Sequence, residues 1–123
     1  MVLEHTESLL KAVSEIARIL EKGGTLLIIM NHPVFQSPGS GPVTLESHDP
    51  DVIWGIGDYL TETSELEKIS PDLDVLYAHR TLSTYFNALS RENLMIQNVI
   101  EKPLPSGLSG IPELLIVLCR KVK

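Results

Sequence analysis

The apolar positions divide the chain into one long amphipathic segment, one shorter one, and several short apolar runs. Between Thr6 and Lys22 apolar side chains recur at three- and four-residue spacing, which predicts a helix with one buried face. These positions are Leu9, Leu10, Val13, Ile16, Ala17, Ile19 and Leu20. Thr6 is the predicted N-cap, and Gly23 is the predicted left-handed residue that ends the helix.

A continuous apolar run, Thr25 to Met30, follows directly after Gly23-Gly24. A run this short, opened by glycine, predicts a strand buried on both faces, as is typical of parallel sheets. Helix, glycine turn and buried strand together indicate an α/β layered fold.

The segment from Asn31 to about Asp51 is rich in proline, glycine and serine, which predicts an irregular loop of about twenty residues. Loops this long in a compact domain are usually functional or mobile. Gly39-Ser40-Gly41 and Gly55-Ile56-Gly57 lack the further residues of nucleotide-binding loops, so both are predicted to be turns.

The second half of the chain predicts a β-hairpin, a helix and two strands. The hairpin joins Glu65–Ile69 to Val75–His79, and the helix spans Thr81 to Arg91 with Leu82, Tyr85, Phe86 and Leu89 on one face. The strands are Leu94 to Glu101 and Glu113 to Lys121, separated by a Pro/Gly-rich turn region over 102–112.

Composition narrows the classes of function. Hydrophobic residues make up 43% of 123 residues, enough for a core, and the net charge of −6 argues against nucleic acid or an anionic membrane as main partner. Cys119 is the only cysteine and lies in an apolar run, so a disulfide within the chain is excluded. Without a signal peptide or an apolar run of about 20 residues, the chain is predicted to be cytoplasmic.

Polar residues follow the first predicted strand at once, at Asn31 and His32, with Phe35 close behind. Ligands of open parallel sheets bind at the carboxyl ends of strands, which makes this a candidate site. Equally, the two polar residues satisfy loop backbone groups while Phe35 caps the core.

A second candidate lies at the predicted junction of hairpin and helix, at His79-Arg80-Thr81. Arg80 suits an anionic substrate group and Tyr85 suits the wall of the same pocket. The alternative is that Arg80 forms a surface ion pair and Tyr85 is a core aromatic residue. The four histidines, His5, His32, His48 and His79, lack ligand spacing, so no metal site is expected.

Two segments resemble a known family. Leu3-Glu4-His5 and the stretch from Glu15 to Ile28 resemble class I S-adenosylmethionine-dependent methyltransferases, from the end of their fourth strand through the fifth. Lys22 stands where the family usually has proline. Further stretches resemble a bacterial small-molecule subgroup, and the resemblance covers essentially the whole chain. They are Asn31-His32-Pro33 with Phe35, Ile56 to Leu60, His79 to Tyr85, and Ile111-Pro112.

The resemblance implies an α/β fold that is the C-terminal part of a Rossmann-like sheet, with about three core strands, two main helices, an inserted loop and a hairpin. Residues 1–123 then form a single partial domain, and residues 31–80 form an inserted substrate-side lid. The family's glycine-rich loop and its ribose-binding acidic residue have no counterpart, so this chain alone is expected to bind S-adenosylmethionine poorly.

The resemblance also implies roles for individual residues. The candidate catalytic bases are His32 and His79, and the candidate cofactor contacts are Leu3, Glu4 and His5. The candidate substrate contacts are Asn31, Phe35, Tyr59, Arg80 and Tyr85. The implied reaction is methyl transfer to a small molecule, and the implied partners are a separate N-terminal fragment or further copies of the chain. The alternative is a non-catalytic remnant or split-gene fragment that acts as an oligomeric or binding module.

Overall fold

The structure is a computed structural model, and it describes residues 2–43, 53–104 and 110–123. A short 3-10 helix, Leu3–His5, precedes helix α1 (Leu9–Ile19), and α2 spans Leu82–Arg91. The strands are β1 (Thr25–Asn31), β2 (Gly41–Val43), β3 (Ile53–Gly55), β4 (Thr63–Ser70), β5 (Leu73–His79), β6 (Leu94–Lys102) and β7 (Leu114–Lys121). The predicted α/β class, with three core strands, two main helices and an inserted hairpin, is confirmed.

The main sheet has the order β1-β7-β6, with β7 antiparallel to both neighbours. Both helices cover the same face of this sheet, because Val13 of α1 and Leu89 of α2 join one buried cluster with Val117. The remaining buried apolar members of that cluster are Leu3, Leu9, Ala17, Ile28, Met30, Tyr85, Ala88, Leu94, Leu115 and Cys119.

The prediction that β1 is buried on both faces was wrong. Ile28 and Met30 are buried, whereas Leu27 and Ile29 are 56% and 44% exposed. Successive side chains of a strand point to opposite faces, and the helices cover only one of them. The pairing of β1 is also antiparallel, since its one neighbour in the described sheet is β7.

Helix α1 is shorter than predicted at both ends. Its N-cap is Ser8, whose hydroxyl accepts a hydrogen bond from the Lys11 backbone N–H at 3.4 Å. Thr6 was the wrong cap, because its hydroxyl instead donates to the Leu3 carbonyl at 2.8 Å. The left-handed conformation of Gly23 is confirmed by its φ of 84°, although the helix itself ends at Ile19.

The segment predicted as one irregular loop contains regular structure, because β2 pairs with β3 in antiparallel register. Residues 44–52, including His48 and the predicted loop end at Asp51, lie outside the described residues. The two glycine segments meet at the end of this ladder, where Gly41 pairs with Gly55. They also contact each other through the Ser40 hydroxyl, which accepts the Gly57 N–H at 2.8 Å. A Cβ at Gly57 would lie 2.0 Å from the Pro38 carbonyl oxygen, so the close approach requires glycine.

The predicted hairpin and second helix are confirmed. Strands β4 and β5 pair from Thr63↔His79 to Ser70↔Leu73, with an irregularity after Lys68. Helix α2 begins at Leu82, where the Thr81 hydroxyl caps it by accepting the Thr84 N–H at 3.3 Å. Over the ranges given above, no helix has the length and apolar character needed to cross a membrane.

Candidate functional site

The end of β1 opens into a cavity of about 340 Å³, which we call the main cavity because predicted site residues line it. Two other surface cavities, of about 400 and 460 Å³, are larger. Its walls come from three separate parts of the chain: the 3-10 helix, the segment after β1, and the β4–β5 hairpin. The lining residues are Glu4, His5, Asn31, Phe35, Gln36, Ser37, Ser40, Glu67 and Tyr77. Two predicted cofactor contacts and two predicted substrate contacts therefore line one cavity.

Glu4 is the most enclosed charged group of the main cavity, with a side chain only 3% exposed. The Asn31 side-chain amide donates a 2.9 Å hydrogen bond to Glu4 Oε1, and His5 Nε2 lies 3.8 Å from the same oxygen. Among the described residues, no hydrogen bond reaches Oε2. A buried carboxylate with an unused oxygen at a cavity wall is poised to accept a hydrogen bond from a bound molecule.

His5 is oriented by the hairpin. Its Nδ1 lies 2.7 Å from the Leu76 carbonyl oxygen, and because a carbonyl only accepts, Nδ1 carries the proton and donates. In the neutral ring this leaves the Nε2 lone pair directed toward the Glu4 side of the cavity.

Tyr77 forms the hairpin wall of the main cavity. Its hydroxyl donates to the Gln36 carbonyl at 3.2 Å. Burial, and after it the negative charge of Glu4, raises the pKa of Tyr77 far above its usual value, with smaller contributions from Tyr85 and Glu67. The phenol therefore remains a neutral hydrogen-bond donor at physiological pH.

Phe35 forms an aromatic wall with support from the neighbouring ladder. Its ring stacks on Trp54 of β3, with centroids 4.3 Å apart and an interplanar angle of 15°. The stack connects the cavity to the chain's single tryptophan.

A second, much smaller cavity of about 10 Å³ lies beside the main one, with room for one water molecule. Glu4, Asn31 and Tyr77 line both cavities, so the two sites share a wall. The other residues of the small cavity are Met30, Pro33, Ala78, His79, Arg80 and Tyr85.

Arg80 joins the end of the hairpin to the start of the chain. Its guanidinium donates to three backbone carbonyls, those of Leu3 at 3.0 Å, Thr6 at 2.6 Å and Glu7 at 3.2 Å. These bonds satisfy carbonyls at the end of the 3-10 helix and hold Glu4 and His5 in place. The predicted role of Arg80 in substrate binding stays a prediction, and the contacts observed here are structural.

Tyr85 packs in the core with 4% exposure, and burial raises the pKa of its phenol against the opposing effect of Arg80. His79 is also buried: its Nε2 donates to the Tyr59 carbonyl at 2.7 Å, while Nδ1 has no hydrogen-bond partner among the described residues. The Tyr59 hydroxyl in turn accepts the Leu82 N–H at the start of α2, at 2.8 Å.

His32 lines neither cavity. Its Nδ1 accepts the Val34 N–H at 3.1 Å, so Nε2 carries the proton and donates to Glu101 at 2.5 Å. Both ring nitrogens are therefore occupied within the chain, and the residue is 1% exposed. The prediction of His32 as a catalytic base remains a prediction, to which this geometry gives no support.

The residues of the main cavity that sequence reasoning missed are Gln36, Ser37, Ser40, Glu67 and Tyr77. No sequence pattern indicated Glu67 or Tyr77 as site residues, because only the packing of the hairpin against the end of β1 brings them to the cavity. In the described ranges no group of three or more histidine, cysteine, aspartate or glutamate residues is placed to hold a metal ion, and His48 lies outside those ranges.

Neither a protein-family model nor a curated protein matches this chain. Several solved structures resemble it, and two of them each share 24% sequence identity with it. One is a Listeria monocytogenes protein provisionally described as an S-adenosylmethionine-dependent methyltransferase, with a TM-score of 0.82. The other is an S-adenosylmethionine-dependent methyltransferase from Mesorhizobium loti, with a TM-score of 0.80.

The match covers 100% of this chain in the first comparison and 98% in the second. This chain spans only 59% and 58% of the length of those two proteins. At this identity the likeness establishes the fold: the chain has the α/β fold of part of these methyltransferases.

Proposed function

We propose that this chain is the C-terminal part of an S-adenosylmethionine-dependent methyltransferase that acts on a small molecule. The observation that carries the proposal is the main cavity, where the predicted cofactor contacts Glu4 and His5 meet the predicted substrate contacts Asn31 and Phe35. Its volume of about 340 Å³ suits a small ligand or part of a larger one. The two solved structures that share the fold add support through the activity in their descriptions.

The residues present fit one end of the cofactor. Glu4 offers an unused carboxylate oxygen in a buried setting, which matches the positive charge of S-adenosylmethionine near its sulfur. A glycine-rich turn leading into a helix N-terminus, which suits the remaining polar groups of such a cofactor, is not found in the described ranges. We therefore propose that this chain binds the methionine end of the cofactor and the methyl acceptor.

When bound, S-adenosylmethionine supplies a methyl carbon whose bond to the positively charged sulfur breaks as the bond to the acceptor nucleophile forms. The chain's residues position the acceptor and receive its proton. Glu4 and His5 both line the main cavity, and we assign them as the proton acceptors, through Oε2 and Nε2. Asn31 orients Glu4 through its side-chain hydrogen bond, and the hydrogen bond from Tyr77 to the Gln36 carbonyl holds the tyrosine ring at the cavity wall.

We further propose that another polypeptide completes the sheet along β1. Lys121 N–H donates to the Gly24 carbonyl and His32 N–H donates to the Glu113 carbonyl, each at 2.9 Å. Even-numbered residues of this segment thus pair with β7, and the N–H and C=O groups of odd-numbered residues from Thr25 to Asn31 point toward the open edge.

An apolar groove of about 190 Å³ runs along this open edge, lined by Val2, Leu3, Ile16 and residues 26–30. Unpaired edges next to apolar surface pair with other chains. The added strand would carry apolar side chains on both faces, to pack against Leu3 and Ile16 on one side and beside Leu27 and Ile29 on the other. The part of the two methyltransferases that this chain does not span is the candidate source.

The same open edge favours the second candidate function, an oligomeric or binding module without catalysis. In that case two copies pair through β1 and no cofactor site forms. Calorimetric titration with S-adenosylhomocysteine separates the two candidates. We expect no binding by the chain alone at micromolar ligand, and micromolar binding once a polypeptide supplying the remaining part of the fold is added.

Sedimentation of the same samples is the control for assembly. A stable dimer of the chain that neither binds the added polypeptide nor S-adenosylhomocysteine would overturn the methyltransferase proposal in favour of the binding module.

A further inference from the structure

The main cavity has an unusual balance of charge. Its lining includes two carboxylates, Glu4 and Glu67, and neither lysine nor arginine. Arg80 lines the adjoining small cavity instead, and its guanidinium is directed to three backbone carbonyls. A cavity walled by two carboxylates disfavours an anionic ligand and attracts a cationic one.

Glu4 provides a specific anchor within this negative cavity. Its side chain is 97% buried, Oε1 is engaged by Asn31, and Oε2 receives no hydrogen bond from the described residues. An ionised carboxylate in such a place is costly unless its second oxygen also finds a donor. A charged N–H donor from a ligand would satisfy it more strongly than a neutral donor.

The aromatic walls of the main cavity also suit a cationic group. Phe35, held by its stack on Trp54, offers a ring face, and Tyr77 offers a second ring. Aromatic faces attract ammonium groups through the ring quadrupole. Glu4 and Glu67 also both raise the pKa of Tyr77, which places both carboxylates within electrostatic reach of one phenol.

We infer that the main cavity binds an alkylammonium group, held by Glu4 Oε2 and Glu67 against the Phe35 ring. The group belongs to an amine-bearing methyl acceptor, and only this identification rests on the proposed function. Binding of the cation itself depends on the cavity alone.

The test uses n-butylammonium, with 1-butanol and butyrate as neutral and anionic probes of similar length. Trp54 is the chain's single tryptophan, so its fluorescence reports on the stacked Phe35 wall. We expect n-butylammonium to bind at least tenfold more tightly than either other probe. Equal binding of the three probes would overturn the inference.

Substitutions locate the site. Glu67→Gln removes one charge from the exposed strand β4 with little risk to folding, and Glu4→Gln keeps an oxygen for Asn31. Each is expected to weaken n-butylammonium binding at least fivefold and to leave 1-butanol binding unchanged. Glu92→Gln, at the far end of α2, makes the same charge change outside the cavity and is expected to have no effect. If Glu92→Gln weakened n-butylammonium binding as much as Glu67→Gln, the loss of affinity would come from the overall charge of the chain. That result would overturn the inference.

A competition experiment with S-adenosylhomocysteine, on the chain complemented as described above, assigns the cation. Simultaneous binding of n-butylammonium and S-adenosylhomocysteine is the expected result and supports an amine acceptor. Competition would show that n-butylammonium only occupies the place of the cofactor's own amino group, and would overturn the inference. Failure of the complemented chain to bind S-adenosylhomocysteine, with n-butylammonium still bound, would count against the methyltransferase function and leave the cation site standing.

Discussion

The Asn31 side-chain amide donates a 2.9 Å hydrogen bond to Glu4 Oε1, across 27 positions of sequence. This contact joins the end of β1 to the 3-10 helix and fixes the carboxylate at the wall of the main cavity. It connects a residue predicted for the substrate side with one predicted for the cofactor side.

Replacing Asn31 with alanine should lower the free energy of unfolding by about 1–3 kcal/mol, because a buried carboxylate loses its hydrogen-bond donor. Urea denaturation measures the change. Asn98→Ala, on exposed β6, is the control and should stay within about 0.5 kcal/mol of the parent chain. An Asn31→Ala variant as stable as the parent would show that the hydrogen bond contributes nothing net.

Arg80 should stabilise the fold. Arg80→Ala leaves the carbonyls of Leu3, Thr6 and Glu7 without their donor, and we expect a loss of about 3 kcal/mol. Arg80→Lys keeps the charge but not the planar fork, so it should recover less than half of that loss. Arg91→Ala, at the exposed end of α2, is the matched control. An Arg80→Ala variant that unfolds at the parent's urea midpoint would contradict this role.

The hydrogen bonds of His32 predict one tautomer. Nδ1 accepts the Val34 N–H and Nε2 donates to Glu101, so ¹⁵N NMR should show Nε2 protonated and Nδ1 unprotonated. Glu101→Gln keeps an oxygen acceptor and should leave the tautomer unchanged. Observation of the Nδ1-protonated form would free Nε2 to act as a base and would revive the sequence-based prediction for this residue.

Alkaline pH should destabilise the fold. Burial raises the pKa of the Cys119 thiol, and burial likewise raises that of the Tyr85 phenol. The folded state therefore keeps protons that the unfolded state releases, and stability falls as pH rises above the unfolded values of about 8.5 for cysteine and 10 for tyrosine.

The expected slope is at most about 1.4 kcal/mol per pH unit for each group. Cys119→Ala should remove the part of the decline that begins near the lower value. Tyr85→Phe should remove a share of the part near the higher value, since the pKa of Tyr77 is raised as well. Urea midpoints measured at intervals of pH give the profile. A stability that stays level from neutral pH through the tyrosine range would contradict the effect of burial.

The open edge of β1 should govern association. Leu27→Lys places a charge on the exposed apolar face without altering the backbone pairing groups. We expect at least tenfold weaker binding of the polypeptide that completes the sheet, measured by sedimentation. Leu66→Lys, at a position 71% exposed on β4, is the control. Equal affinity in the two variants would place the interface elsewhere.

The local structure was largely accessible from the sequence, since it depends on neighbouring residues. The periodicity of α2 predicted the helix within one residue, and Gly23 was correctly identified as left-handed. The predicted cap of α1 was wrong, because Thr6 and Ser8 both have side chains that can cap a helix. Only the hydrogen bond from Thr6 to Leu3 decided between them.

The candidate site was predicted in part. Glu4, His5, Asn31 and Phe35 do line one cavity, but Glu67 and Tyr77 were missed. Arg80 and Tyr59 were assigned to a substrate because an isolated arginine or tyrosine carries no sign of its partners. In the structure both bind backbone groups that lie far away along the chain.

By itself, the sequence determined the two helices, the strands of the main sheet and of the β4–β5 hairpin, and the α/β class, because hydrophobic period and glycines act over a few residues. The tertiary structure alone decided which face of β1 is covered, which carboxylates meet at the main cavity, and that Glu4 keeps an unused oxygen there. These properties depend on contacts between residues dozens of positions apart, and a one-dimensional pattern does not specify how separate elements pack.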